Sequence, residues 1–381
     1  MKIVFFLSSR YPTHKAYGVT TGETARAFRE KGNQVKLIAP SLRRSKLNQD
    51  QYGNDIKLIY SPILKILRNS FFDLWLLSRP MFVLTGLAFT KKCKKFLREE
   101  KPDVIWVRDF WSALMIQRLF SQCKLVIEIH QTPSLLSNLV LKRLCGNQNI
   151  AFLTIQDSLR INLMTRYPSA RIFLGSMGAS KDFYEVGKAK LNTSPRKAEE
   201  VLKVCYLGRL TSSGHDNGIK TLLDDWQYVP ENIASLTLIG LSSDEVDEIS
   251  NQQRVKNVNF VTSLSHQEVP KALANFDCGL IPYPEGKYHE SRFPIKIVEY
   301  CATALNIIAN CTLGNRANIK ESFADFYFAG NSESLITALI KIKEFPSESR
   351  EKVVTGYIWA QDYTYSKRLT EIYPFLEGRS N

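Results

Sequence analysis

Short apolar runs, each about one strand long, recur along the chain with helical stretches between them, and this alternation limits the folds open to it. Lys2 to Ser9 is apolar on both alternating faces, as a strand buried on both sides of a sheet must be. Ala25, Phe28 and the small residues around them give the next segment a helical stripe. Gly32 ends it, and Gln34 to Ala39 resumes a strand. The pattern returns at Val104 to Val107, with a helix from about Trp111, at Leu125 to Ile129, at Phe152 to Ile155 and at Ile172 to Leu174. A second series runs through Val204 to Leu207, Leu236 to Gly240, Val258 to Val261, Cys278 to Pro282, Asn306 to Ala309 and Phe326 to Phe328. Ser265 and Glu268 have the spacing of a capping box within it. Repeated strand-helix units predict the α/β class with parallel sheets.

A length of 381 residues exceeds what one core usually supports, so two domains are expected. Residues 185–200 (EVGKAKLNTSPRKAEE) are polar and charged, and read as a linker. The expected division is a Rossmann-like domain over 1–184, the linker, a second Rossmann-like domain over 201–346, and two helices over 347–381 packing back across the domains. Trp359, Tyr363, Tyr365 and Tyr373 supply packing groups for that tail.

The seven cysteines are scattered, odd in number and lack a Cys-x-x-Cys pair. They argue against a disulfide scaffold or structural zinc and for a reducing, cytoplasmic setting. Ile3 to Leu7 is short and is followed by Ser8-Ser9-Arg10 without a small-residue cleavage site, so it reads as a strand and not a signal peptide. No run of ~20 apolar residues predicts a spanning helix. The net charge of +14 calls for an anionic partner. Zinc spacing, RNP-like strands and helix-turn-helix signals are missing, which argues against nucleic acid. From Ile56 to Lys101, large apolar side chains interleave with bases such as Lys65, Arg68, Lys91, Lys92, Lys94 and Lys95. The segment fits either a peripheral contact with the anionic inner face of the cell membrane or helices packed on the first sheet with a solvated basic edge.

Parallel sheets bind ligands beyond the carboxyl ends of their strands, which singles out four loops. In Arg10 to Gly22, Gly18 and Gly22 permit close backbone approach at a helix start, as an ordinary turn or as a ligand loop. His130 ends the run Val126-Ile127-Glu128-Ile129. It could hold a sugar hydroxyl or simply be structural. Gly208 and Arg209 follow the first strand of the second series, where a bare backbone and a forked cation suit phosphate oxygens. The loop with Glu290, Ser291 and Arg292 leads into a helix beginning near Pro294, which presents amides, Arg292 and Lys296 to a diphosphate. Glu299, one turn on, could accept two ribose hydroxyls, and a carboxylate on so apolar a face needs partners if buried.

The stretches KIVFFLSSRYPTHKAYGVTTGETARAFREKGNQVKLIAP, KPDVIWVRD with LVIEIHQTP, YLGRL with GHDNGIKTLL, and FDCGLIPYPEG with PIKIVEYCATALNIIAN lie in an order and spacing that resembles a known family. It is that of the retaining GT-B glycosyltransferases of the family 4 type, the glycosyl transferases group 1. The resemblance implies two Rossmann-like domains with parallel sheets facing a central cleft, the acceptor on the first and a nucleotide sugar, UDP- or GDP-linked, on the second. It further implies that Glu299 binds the ribose, Arg209 and Lys296 the diphosphate, and His130 the transferred sugar. Gly18, Gly208, Arg292, Ser291 and Glu290 complete the donor-binding set. Neither a metal nor another cofactor is implied. The acceptor would be a saccharide or a lipid-linked saccharide, as in surface polysaccharide or glycolipid synthesis. Two positions depart from the pattern: Ser291 stands where relatives often have Glu, and Asn217 where many have Lys. A GT-B epimerase and a catalytically silent partner subunit are the alternative expectations.

Overall fold

A computed structural model describes residues 1–9, 11–13, 16–41, 48–61, 75–194, 196–212, 214–252, 257–262, 264–290 and 293–378. They form two compact units, one of Met1–Met177 with Tyr365–Asn381, the other of Gly178–Thr364.

In the first unit, β1 (Lys2–Phe6), β2 (Gln34–Ser41), β3 (Asp55–Tyr60), β4 (Val104–Val107), β5 (Lys124–Ile129), β6 (Ile150–Thr154) and β7 (Arg171–Leu174) make a parallel sheet. Its order is β3-β2-β1-β4-β5-β6-β7. Between the strands run α1 (Ala16–Glu30), α2 (Trp75–Glu100), α3 (Phe110–Leu119), α4 (Leu135–Leu144) and α5 (Asp157–Arg166). Alternate residues of β1 divide between two cores, which is why the strand reads as uniformly apolar. Ile3 and Phe5 pack with Phe28 of α1, Trp106 and Ile372, while Val4 and Phe6 pack with Phe89, Cys93, Ile116 and Val140 from the helices of the other face. Gly32, at φ +81°, supplies the left-handed residue that ends α1.

The segment 56–101 resolves into parts. Asp55–Tyr60 is a strand, which the apolar-and-basic reading overlooked, and residues 62–74 lie outside the described residues. In α2, Phe89, Cys93 and Leu97 are buried at four-residue spacing while Lys91, Lys95 and Arg98 are exposed, so this part has the packed face and solvated edge of the second reading.

In the second unit, β8 (Leu202–Leu207) leads to a short hairpin, β9 (Thr211–Ser212) and β10 (His215–Asp216). Then come β11 (Ala234–Ile239), β12 (Val258–Val261), β13 (Cys278–Ile281), β14 (Asn306–Asn310) and β15 (Asp325–Tyr327). The sheet is parallel, in the order β12-β11-β8-β13-β14-β15. Its helices are α6 (Lys181–Leu191), α7 (Ile219–Trp226), α8 (Ser243–Gln252), α9 (Val269–Leu273), α10 (Lys287–Glu290), α11 (Ile295–Ala302), α12 (Leu313–Asn318), α13 (Ser332–Glu344) and α14 (Pro346–Ala360). Ser265 donates to Glu268 from both its amide and its hydroxyl ahead of α9.

The domain limits differ from those expected. Residues 181–191 are a helix of the second unit, not a linker: Phe183 is fully buried, and a Cβ on Gly187 would lie 2.0 Å from the Ala302 carbonyl oxygen. The charged residues form the outward face of that helix, and its few apolar ones suffice to dock it. Residues 346–360 also stay with the second unit, where Trp359 stacks on Phe323 at 4.9 Å. Only the chain from Tyr365 on, with α15 (Tyr373–Glu377), belongs to the first, where Tyr373 stacks on Phe28.

Candidate functional site

Both sheets reverse their winding once, between β1 and β4 and between β8 and β13. Crevices at such switch points, outside the carboxyl ends of the strands, are where doubly wound sheets hold ligands.

In the first unit the carboxyl ends of β4 and β5 deliver Arg108 and His130. Glu128 of β5 is buried and is the hub: it accepts from Trp106 Nε1 (2.8 Å), from Arg368 Nη2 (2.7 Å) and from His130 Nε2 (2.5 Å). Arg368, also buried, arrives from the C-terminal tail and donates in addition to Thr24 Oγ1 (2.8 Å) and the Gly175 carbonyl (3.2 Å). Burial pushes the Glu128 carboxyl up, but Arg368, Arg108 and His130 together hold it well below the usual carboxylate range. Arg108 donates to the Tyr17 carbonyl (3.0 Å) and lies 3.0 Å from His130 Nδ1. Burial, and then the Arg108 cation, lower the His130 pKa to about 4, so the imidazole is neutral at pH 7. Its Nε2 lies 2.5 Å from Glu128 Oε1 and 2.6 Å from Arg108 Nη2, which is also 3.0 Å from Nδ1. A sugar hydroxyl therefore reaches a ring nitrogen only by exchanging one of these partners. Gly18 lies in the first turns of α1, where a Cβ would come 2.4 Å from the Thr13 carbonyl oxygen. Its lack of a side chain lets the β1–α1 loop fold onto the helix start.

In the second unit, Gly208 (φ +145°) follows β8, and a Cβ there would lie 2.9 Å from both Lys296 Nζ and Tyr206 Oη. Only glycine fits both the conformation and the space. Lys296 reaches over from α11, its ammonium 4.1 Å from the centre of the Tyr206 ring and 4.9 Å from that of Tyr283. Burial lowers its pKa to about 7, with Glu299 pulling the other way. The N-cap of α11 is Pro294, which has no side-chain cap to offer, and the Ile297 amide donates to the Pro294 carbonyl (3.1 Å). Glu299, one turn further, is buried and lies 3.1 Å from His266 Nε2.

Arg209 is adjacent to Gly208, but its guanidinium turns away: Nε donates to Glu245 (2.5 Å) and Nη2 to Ser242 Oγ (3.3 Å) at the start of α8. The side chain is 57% exposed, so an anion could compete for it. Asn217 is buried and donates to the Arg209 carbonyl (2.8 Å) and to Ser212 Oγ (3.0 Å), bracing the loop. Glu290 ends α10 with its backbone against Gly314. Ser291 and Arg292 lie outside the described residues.

The structure thus joins Gly208, Lys296 and Glu299 in one unit and sets His130 and Gly18 in the other. Sequence reasoning missed Arg108, Arg368, His266, Tyr206 and Tyr283. One signal was available: an acid between Ile127 and Ile129, in a strand buried on both faces, demands cationic partners.

Residues 202–344 match the family described as glycosyl transferases group 1. No curated protein matches the sequence. Among solved structures the chain is similar to sucrose-phosphate synthase from Thermosynechococcus elongatus, at 14% identity and a TM-score of 0.70, with 100% of each chain covered. It is similar to Anabaena HepE in complex with UDP at 14% identity and a TM-score of 0.64, over 99% of this chain and 100% of that one. It also resembles the lipopolysaccharide outer core galactosyltransferase WaaB, at 14% identity and 0.63, with 100% of each chain covered. The chain thus has the GT-B fold, and residues 202–344, in its second unit, match the glycosyl transferases group 1.

Proposed function

We propose that this chain is a glycosyltransferase that moves a sugar from a nucleotide-sugar donor to a saccharide or lipid-linked saccharide, with retention of configuration and without a metal. The observation that carries the reading is the Lys296 ammonium held beside bare backbone at Gly208, at the switch point of the second sheet. A diphosphate placed there meets Lys296 and the start of α11, with Arg209 in reach of an exposed oxygen. These groups neutralise the leaving diphosphate where charge develops. The departing phosphate oxygen then takes the acceptor proton, so no carboxylate nucleophile is needed. Glu299 accepts the ribose hydroxyls, with His266 as its neighbour. In the first unit's own crevice, His130, neutral and beside Glu128, offers a contact for a sugar hydroxyl, and Arg108 adds positive charge next to it. UDP in the HepE structure favours a uridine nucleotide over GDP. A role in surface polysaccharide or glycolipid synthesis fits the likeness to a lipopolysaccharide galactosyltransferase.

A thermal-shift screen against UDP, GDP and their common sugar conjugates, with and without EDTA, tests the donor. One nucleotide class should stabilise the protein, and EDTA should leave the shift unchanged. No shift with any of them in a folded sample would overturn the reading, and a shift abolished by EDTA would overturn metal independence.

A further inference from the structure

Three leucines at the start of α4 stand in water: Leu135 is 83% exposed, and Leu136 and Leu139 are each 66% exposed. The helix does not lack a core, because Val140, Leu141 and Leu144 are buried between the sheet and its neighbouring helices. It therefore has a second apolar face with nothing among the described residues of its own unit to cover it. Single exposed leucines are ordinary, but three within the first turns of one helix make a patch.

The charges on α4 itself are of one sign. Lys142 and Arg143, exposed in the last turn, follow the leucines. From Phe110 to Gln156 the sequence holds a single acid, Glu128, and that one is buried. An apolar tip next to cations, on a helix without an acid, is complementary to an anionic bilayer. Leucines enter the boundary between headgroups and acyl chains, while Lys and Arg stems lie along it with their charges among the headgroups. In α2, by contrast, Lys92 lies over the Tyr60 ring and Lys95 lies beside Glu99, and among its described side chains a single large apolar one, Leu84, is exposed.

We propose that Leu135, Leu136 and Leu139, with Lys142 and Arg143, form a docking surface for an anionic lipid bilayer. Because α4 starts just beyond His130 at the carboxyl end of β5, docking sets the membrane beside the crevice of the first unit. This deepens the glycosyltransferase reading, on which its consequence rests: the acceptor is lipid-borne.

The test is sedimentation of the full chain with vesicles of phosphatidylglycerol and phosphatidylcholine, and of phosphatidylcholine alone, at low and high salt. The wild type should bind the anionic vesicles and be released by salt. Leu136→Asp with Leu139→Asp, and separately Lys142→Glu with Arg143→Glu, should each lower partitioning at least about tenfold. Lys91→Glu with Lys95→Glu on α2 should lower it less. Failure of the wild type to bind, unchanged binding in both α4 pairs, or loss confined to the α2 pair would overturn the proposal. So would a dimer that the leucine pair dissociates without any vesicle binding. The nucleotide-induced thermal shift, read on the same variants, reports the donor site separately, so failure of docking and failure of the donor reading are distinguishable.

Discussion

The most informative single residue is Lys296. An ammonium packed on two aromatic rings in a crevice loses hydration, and burial lowers its pKa to about 7. Its charged form prevails below that value and is lost above it, and a bound diphosphate favours the charged form. Affinity for a nucleotide sugar, whose diphosphate diester has no group titrating nearby, should therefore fall as pH rises through 7, by at most about tenfold per unit. Titrations at pH 6 and pH 8.5 check this. The slope should vanish in Lys296→Met, together with much of the affinity. A slope that persists there would place the titrating group elsewhere. Gly208, Lys296 and Glu299 were legible because each has an unusual type for its place: a glycine after a strand, and charges on an apolar helix. Arg209 was legible as a cation, but its pairing with Glu245 depends on a helix start that no local pattern links to it.

At the scale of elements, the tail beginning at Tyr365 completes the first unit. Ile372, Phe375 and Leu376 join the core containing Phe5, Phe28 and Trp106, and Arg368 closes the network around Glu128. Arg368→Ala would leave a buried carboxylate short of its partner, at a cost of roughly 3–5 kcal/mol. Denaturant unfolding, followed at Trp106, should show this loss in the first unit. The double variant with Glu128→Gln should lose clearly less than the sum of the singles. Additive losses would mean that the two residues do not act as a pair. Sequence periodicity located most strands to within a few residues, because buried parallel strands are continuous apolar runs. It missed β3, whose alternation with Asp55 and Lys57 is that of an edge strand, and α6, whose inward face is little more than Phe183, Tyr184 and Gly187. It also could not pair Arg368 with Glu128, because a contact across 240 residues leaves no local trace.

At the scale of the whole molecule, two doubly wound sheets were legible from the repeating strand-helix units, and the likeness of residues 202–344 to the glycosyl transferases group 1 from motif order. The boundary was not, since composition marks solvated faces and α6 is solvated on one side while docked on the other. That the tail returns to the first unit explains why an N-terminal piece ending near Met177 lacks part of its own core. The central claim is that the second unit holds a nucleotide sugar at Gly208, Lys296 and Glu299 without a metal. Calorimetric titration of the stabilising nucleotide in EDTA, into the wild type and into Glu299→Ala, tests it most directly. The account predicts one site in the wild type and a weakening of roughly 1.5–3 kcal/mol in the variant, the loss of a hydrogen bond to a charged group. Equal affinity in a folded Glu299→Ala, or binding that requires a divalent cation, would contradict it.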